Sequence, residues 1–399
     1  MTNLRYKRVS RKRNCLICGK PDWCSFTPDE TISFCARITC GADRVSKTGW
    51  GVYYHDSFTT RIVEKLRIPS RYFFSTLAPV ALRDFTYRNL IGLSPATCST
   101  EIIGGPKGLA HRKILNYENY GSLPQTRAAR SDLAGQIAAL VRGRFPRFVE
   151  KRKHALEGIP GFWIGKHSKP QIWLDNDYAI PMMLVPFRDA NGFIQACQIR
   201  FMGRSSKKHR RYVWLSTPEL TGGTSCGTPL HFAGYNSAST KPLLVTEGAL
   251  KADTARLFAH GADVVGSAGV ACSHEPVISA ARFRIMLLGY DADKTDNHHV
   301  ARAVASLLCL RLLDQEKYRY GRSVRILMWA SAAKGAVNGI DDAFLQNVPI
   351  STVAPLEWFD ALNKRCRSEV ERYFKQNGGR LAAFGTSKGL SKNVAGIRE

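Results

Sequence analysis

The sequence predicts a multidomain chain, α/β by class with α+β parts, and three features carry that reading. Five of its eleven cysteines crowd into residues 15–40. From Lys241 onward, apolar strand-like runs alternate with amphipathic helical ones, the pattern of a parallel sheet with crossover helices. Between these two regions lies a helical stretch followed by cation-rich β-type sequence. The expected division is a zinc ribbon with a basic N-terminal tail over 1–55, a helical connector over 56–158 and a small basic β-rich subdomain over 159–238. An α/β domain with a parallel sheet follows over 239–350, and a C-terminal helix and basic tail over 351–399.

Charge sets the class of partner. Lys and Arg number 58 against 32 Asp and Glu, a net +26. Such an excess points to a polyanion, because neutralising phosphates releases counterions. A merely soluble basic protein is the plainer reading. No apolar run reaches the roughly 18 residues that a membrane-spanning helix needs, so no membrane partner is expected. The opening "MTNLRYKRVSRKRN" lacks the apolar core of a signal peptide, which predicts a cytoplasmic protein. No GxxxxGK[ST] occurs, which removes a Walker-type motor.

In the ribbon, "CLICGKPDWCSFTPDETISFC" sets Cys15 and Cys18 in a CxxC knuckle, where two thiolates can face one tetrahedral Zn²⁺. Gly19 permits the turn, and "TISFC" reads as a strand delivering Cys35. The fourth ligand is Cys24 or Cys40, and Cys24 is preferred because the "PDWCS" turn ties it to the knuckle. A fragment this small needs such a staple. The run Arg5, Lys7, Arg8, Arg11, Lys12 and Arg13, with Trp23 and Phe34 nearby, suits single-stranded nucleic acid by charge and stacking; a solvated basic tail is the alternative.

The connector is predicted helical at "LAPVALRDFTYRNLIGL" and "SDLAGQIAALVRGRF", with breaks at "GGPKG" and "NYGSLP". "YAIPMMLVPFRDANGFIQACQIRF" reads as a hairpin turning at Asp189-Ala190-Asn191-Gly192, and "YVWLS" as a further strand. Between them Arg200, Arg204, Lys207, Lys208, Arg210 and Arg211 form a dense cationic entry that could hold a template strand or a triphosphate.

The acids gather in the parallel domain. "PLLVTEG" is a strand ending in Glu247-Gly248, "RIMLLGYDAD" a strand ending in Asp291 and Asp293, and "SVRILMWA" a strand followed by "GIDDAF" with Asp341 and Asp342. All of these lie at one sheet edge. Converging carboxylates repel unless a cation neutralises them. Mg²⁺ or Mn²⁺ suits them, since it takes few carboxylates and leaves places for water and phosphate oxygens. Gly248 would let a phosphate approach the backbone near a helix N-terminus, and Lys251 one turn on is a further candidate for nucleic-acid or nucleotide contact.

"LLVTEGALKAD" together with "IMLLGYDAD" resembles the Toprim domain of bacterial-type primases, type IA and II topoisomerases and related nucleases. "MMLVPFRDANGFIQACQIRF" and "RRYVWLST" resemble the basic subdomain ahead of Toprim in DnaG-type primases, which also begin with a zinc ribbon. The resemblance spans most of the chain and is nearest to compact primases of phages, plasmids and other mobile elements, which lack a helicase domain and often carry "GIDD". It implies Mg²⁺-supported phosphodiester formation, with Glu247, Asp291 and Asp293 as metal ligands and catalytic groups and Asp341 as a weaker carry-over. It also implies a single-stranded DNA template, NTPs and a separate replicative helicase as partners, at the replication fork or nucleoid. The chain departs from the family in offering five candidate zinc ligands, in having cysteine where histidine is frequent, and in its short basic subdomain.

Other readings stand beside this one. "DADKT" fits the D-x-D-x-T of HAD-type phosphatases, with Asp291 as nucleophile, but leaves Glu247, the ribbon and the basic excess unused. A Toprim nuclease would share the acidic site, and a zinc-ribbon replication factor could bind DNA without catalysis. A topoisomerase lacks room for its cleavage domain.

Overall fold

The computed structural model describes residues 6–28, 32–37, 44–46, 50–54, 77–152, 154–173, 176–203, 211–218, 220–321, 323–330 and 337–377. Arg5, Cys40, Arg204, Lys207, Lys208, Arg210 and the tail from 378 lie outside them. The fold is mixed α/β, with an N-terminal cysteine cluster and a sheet containing parallel strands. It divides into two compact units, Met1–His111 with Leu115–Pro186 and Phe193–Thr228, and Arg112–Ile114 with Phe187–Gly192 and Pro229–Glu399.

In the first unit, five short strands form an antiparallel sheet: β1 (Lys7–Arg8), β2 (Ser25–Phe26), β3 (Ile32–Cys35), β4 (Arg44–Val45) and β5 (Gly51–Tyr54), ordered β1-β2-β3-β5-β4. Helices α1 (Val80–Leu93), α2 (Thr100–Gly104), α3 (Arg127–Arg144) and α4 (Pro146–Val149) follow, with strand β6 (Gly121–Leu123) among them. Then come the pair β7 (Phe162–Ile164) and β8 (Pro170–Ile172), and β9 (Met182–Arg188), β10 (Ile194–Phe201) and β11 (Tyr212–Trp214). The hairpin turn is as the sequence predicts: Asn191 N–H donates to Asp189 Oδ1 at 2.9 Å, and Gly192 sits at φ +83°, where a Cβ would be strained.

The helices expected to form a separate connector share one core with these strands. Leu82, Tyr87 and Leu90 of α1 and Leu133, Ile137 and Val141 of α3 are buried with Met182, Leu184, Ile194 and Ile199 of β9 and β10. The boundary expected at 158/159 therefore runs through a packed core. "NYGSLP", expected as a break, contains β6, which pairs antiparallel with β9 as Gly121↔Leu184 to Leu123↔Met182. Three residues are too few to display a period-2 signal.

The second unit is a six-stranded sheet ordered β12-β14-β13-β15-β16-β17. The strands are β12 (His231–Gly234), β13 (Leu243–Glu247), β14 (Asp263–Ser267), β15 (Met286–Gly289), β16 (Val324–Trp329) and β17 (Ile350–Val353). The four central strands are parallel, and the edge strands β12 and β17 run antiparallel to their neighbours. Its helices are α5 (Ala249–Arg256), α6 (His274–Ala281), α7 (His298–Tyr318), α8 (Ile340–Leu345), α9 (Pro355–Asp360) and α10 (Lys364–Gln376). Side chains alternate across the sheet as the pleat requires. Leu243, Val245, Met286, Leu288 and Ile326 pack with residues of α6, α7 and α10, while Leu244, Leu287 and Leu327 pack with α5 and α8. Burial on both faces explains why these strands read as continuous apolar runs. Strand β12 lies ahead of the boundary expected at 239, and β17 crosses the one expected at 350/351.

His274 of α6 is locked in this core. Its Nε2–H donates to Val270 O at 2.7 Å, and its Nδ1 accepts from Ser306 Oγ at 3.1 Å. Burial, only partly offset by the Val270 bond, holds its pKa below the ordinary 6.5. The unfolded chain therefore binds a proton that the folded chain refuses, and stability present above pH 6.5 is lost as pH falls below it. The denaturant midpoint should drop between pH 7 and 5, and His274→Gln should flatten that drop.

Candidate metal and phosphoryl-transfer site

The order of the parallel strands creates the site. The chain passes from β13 through α5 to β14 on one side, then through α6 to β15 on the other. Crossovers leaving in opposite directions open a crevice at the carboxyl ends of β13 and β15, where open α/β sheets place ligands. Glu247 is the last residue of β13, and the parallel register pairs Thr246 with Gly289, so Asp291 follows at nearly the same level. β15 ends at Gly289, four residues before the expected end at Asp293, and Asp293 lies in a short 3-10 turn over Ala292–Thr295.

Gly248 has φ +86° and no atom within 4 Å of where a Cβ would stand, leaving open space beside the crevice. Gly266 is required for another reason: a Cβ there would meet Gly248 O at 2.7 Å, closing the approach of β14 to the start of α5.

Each acid has a defined setting. Asp291 Oδ1 is ion-paired with Lys251 Nζ, and Asp291 Oδ2 accepts from Asn338 Nδ2 at 2.8 Å. Asp293 Oδ2 accepts from Asn297 Nδ2 at 2.9 Å, while its Oδ1 is buried with no hydrogen-bond partner. Asp341, 1% exposed, pairs through Oδ2 with Arg112 Nη1, and its Oδ1 is likewise buried and unpartnered. Burial pushes the Asp291 pKa up, and Asp341 and Asp293 add to this against the pull of Lys251. Asp342 serves the fold instead. Its Oδ2 accepts the Gly339 N–H at 3.4 Å and caps α8.

Buried carboxylate oxygens without partners are costly, and a bound cation would satisfy them. The donors are hard oxygens, which suit Mg²⁺ or Mn²⁺ rather than a thiophilic metal. Lys294 lies beneath the pair, 1% exposed, with its ammonium 4.0 Å from the Trp329 ring centroid and bonded to Asp291 O at 3.2 Å. Burial lowers its pKa to about 8.

Asn297, Asn338 and Arg112 are site residues that the sequence does not announce. Asn297 doubles as the N-cap of α7 through its bond from His299 N–H, which is the one local signal among them. Arg112 is 229 residues from Asp341 and no spacing rule reaches that far. Arg112→Ala leaves Asp341 charged, buried and unpaired, and should cost about 3–5 kcal/mol in denaturant unfolding. The double variant Arg112→Met with Asp341→Leu should recover much of that loss.

In the first unit the structure brings together Cys15, Cys18, Cys24 and Cys35, whose sulfurs all lie within 4.8 Å of one another. Cys24 and Cys35 are fully buried. Gly19, at φ +67°, donates its N–H to Cys15 O at 2.8 Å and closes the knuckle. Ala36 N–H points at Cys24 Sγ at 3.4 Å, and Arg37, paired with Asp22, lies 3.8 Å from Cys18 Sγ. Four sulfurs at that spacing with N–H donors around them are compatible with a structural zinc ion. Two of the nearby aromatic faces are already used: Tyr6 meets Phe34 edge-on at 5.0 Å and Arg37 covers Trp23 at 4.8 Å.

The cationic candidates separate. Arg200 is 4% exposed, donates to Lys107 O at 2.7 Å and lies over Tyr212, whereas Arg211 is exposed. Lys251 belongs to the acid cluster. Among the described residues no helix is long and apolar enough to cross a membrane.

No family model and no curated protein matches the chain. Among solved structures it is similar to the Aquifex aeolicus primase comprising zinc-binding and RNA polymerase domains, at 13% identity over 96% of this chain and 94% of that one, with a TM-score of 0.44. It is also similar to the Escherichia coli primase catalytic core, at 14% identity over 78% and 99%, TM-score 0.42. A third is the RNA polymerase domain of Mycobacterium tuberculosis primase DnaG in complex with a double-stranded DNA oligomer carrying a 6-nucleotide overhang, at 16% over 75% and 81%, TM-score 0.43.

Proposed function

We propose that the chain is a primase-type nucleotidyltransferase of the Toprim class that makes short primers on single-stranded DNA. The observation that carries this reading is the set of acids at the β13/β15 crevice, two of which, Asp293 and Asp341, keep a buried unpartnered oxygen. Glu247, Asp291, Asp293 and Asp341 would hold Mg²⁺ or Mn²⁺. A bound divalent ion there would supply charge neutralisation at the attacked phosphate and acidify a 3′-hydroxyl. The residues do the positioning: Asn338 and Asn297 fix the rotamers of Asp291 and Asp293, and Arg112 fixes Asp341. The open side of Gly248 gives a phosphate access to the backbone.

In this reading the partners are a DNA template, NTPs and a separate helicase, and the setting is replication of a phage, plasmid or other mobile element. The excess of +26 and exposed cations such as Arg211 suit the template backbone. The test is incubation of the purified protein with single-stranded template, labelled NTPs and Mg²⁺, for wild type and Asp291→Asn. Short products made by the wild type and lost in the variant support a primase. Cleavage of the template instead would make the chain a nuclease, and template binding without any product would make it a DNA-binding replication factor.

A further inference from the structure

Among the described residues, the four cysteines form the group whose ligand atoms close within 4.8 Å of one another; the carboxylates at the crevice stand wider, with an ammonium among them. Lys251 projects from the first turn of α5, with its side chain 23% exposed, and is ion-paired with Asp291. The ammonium stands in direct contact with that carboxylate. Gly339 leaves room for both groups: a Cβ built there would strike Asp341 Oδ1 and stand 3.2 Å from Lys251 Nζ, so the unpartnered oxygen and the ammonium flank one point.

We infer that Lys251 is the built-in counter-ion of the acid cluster, holding Asp291 until a divalent cation takes its place, and that it thereby sets how tightly the cluster binds metal. The inference rests on the metal site proposed above. Without a cation, Asp291, Asp293, Asp341 and Glu247 would repel one another across a low-dielectric crevice. Lys251 relieves that repulsion from within the chain, which allows the site to fold before metal arrives. The same ammonium then competes with the ion: Asp291 cannot keep its ion pair with Lys251 and also give Oδ1 to a metal. Exchange requires only a rotation of the flexible lysine side chain, whose four-carbon stem reaches solvent. Asn338 keeps hold of Asp291 Oδ2 throughout, so the carboxylate stays aimed while its other oxygen changes partner.

The test is calorimetric titration of the full-length zinc-loaded protein with Mn²⁺ alone, in wild type, Lys251→Met, Lys251→Arg and Asp293→Asn, alongside thermal melting with and without Mn²⁺. Lys251→Met should bind Mn²⁺ more tightly than wild type, by about tenfold or more for one charge removed at contact distance. It should melt lower without Mn²⁺ and regain the loss with it. Lys251→Arg, which grips a carboxylate with two donors, should bind Mn²⁺ no more tightly than wild type. If Lys251→Met does not fold, Lys251→Gln carries the same expectation. Equal or weaker Mn²⁺ binding by the neutral variants, with Asp293→Asn still losing the ion, overturns the role of Lys251 and leaves the metal site standing. Wild type and Asp293→Asn binding Mn²⁺ alike overturns the metal site and the inference with it.

Discussion

Asp293→Asn is expected to reduce primer synthesis about a thousandfold or more, equivalent to about 4 kcal/mol of transition-state stabilisation, without unfolding the protein. The substitution is nearly isosteric, and Asn297 can keep its bond to the remaining amide oxygen. What is removed is the negative charge and the buried, unpartnered Oδ1. The melting temperature without divalent ions should rise, because one of the charges that pushes up the Asp291 pKa has gone. Asp342→Ala is the matching control. Asp342 caps α8, so its loss should cost about 1 kcal/mol of stability and leave synthesis intact. Primer yield, melting temperature and Mn²⁺ affinity, read together on the two variants, separate an acid that works on the substrate from one that works on the fold.

Cys35→Ser carries the second large effect. The apolar core around the cluster, with Val9, Phe26, Ala36 and Tyr53, is too small to hold a five-stranded sheet alone. Structural zinc contributes on the order of 10–16 kcal/mol in small metal-held folds. Losing one of four ligands should reduce bound zinc from about one ion per chain to none and open the N-terminal residues to protease. Cys40→Ser should retain its zinc, since Cys15, Cys18, Cys24 and Cys35 already complete a tetrahedral set. Mass-spectrometric metal content with limited proteolysis reads both outcomes. A Cys35→Ser protein that kept its zinc would sink this account of the cluster.

Much of this architecture is legible in the sequence because it is local. Strands β13, β14, β15 and β16 announce themselves as apolar runs since helices cover both faces of their sheet. The Cys15–Cys18 knuckle and the turn at Gly192 follow from short-range stereochemistry. What the sequence conceals is pairing at a distance. β6 gives no sign of belonging beside β9, and the helices α1 and α3 give no sign that their apolar faces are spent on β9 and β10. Lys251 reads as a contact for nucleic acid or nucleotide, and only the fold pairs it with Asp291. Arg200 reads as part of a cationic entry, yet its guanidinium is used inside the first unit on Lys107 O. A charge run in sequence is thus an unreliable guide to a charged surface, because long cationic side chains can bury their stems and turn inward.

The Arg112–Asp341 pair also bears on how the chain is made. Arg112 leaves the ribosome 229 residues before its partner, a delay of roughly 10–45 s at ordinary synthesis rates. Throughout that interval residues 112–114 must wait as a solvated strand of chain for the sheet that will receive them. A fragment begun at Pro229 would include every acid of the crevice and leave Asp341 without its guanidinium. It would also lack the Arg188 N–H that holds His231 Nδ1. The second unit is thus continuous in space and interrupted in sequence, and a fragment of it should be recovered folded only when synthesised with the residues that precede it.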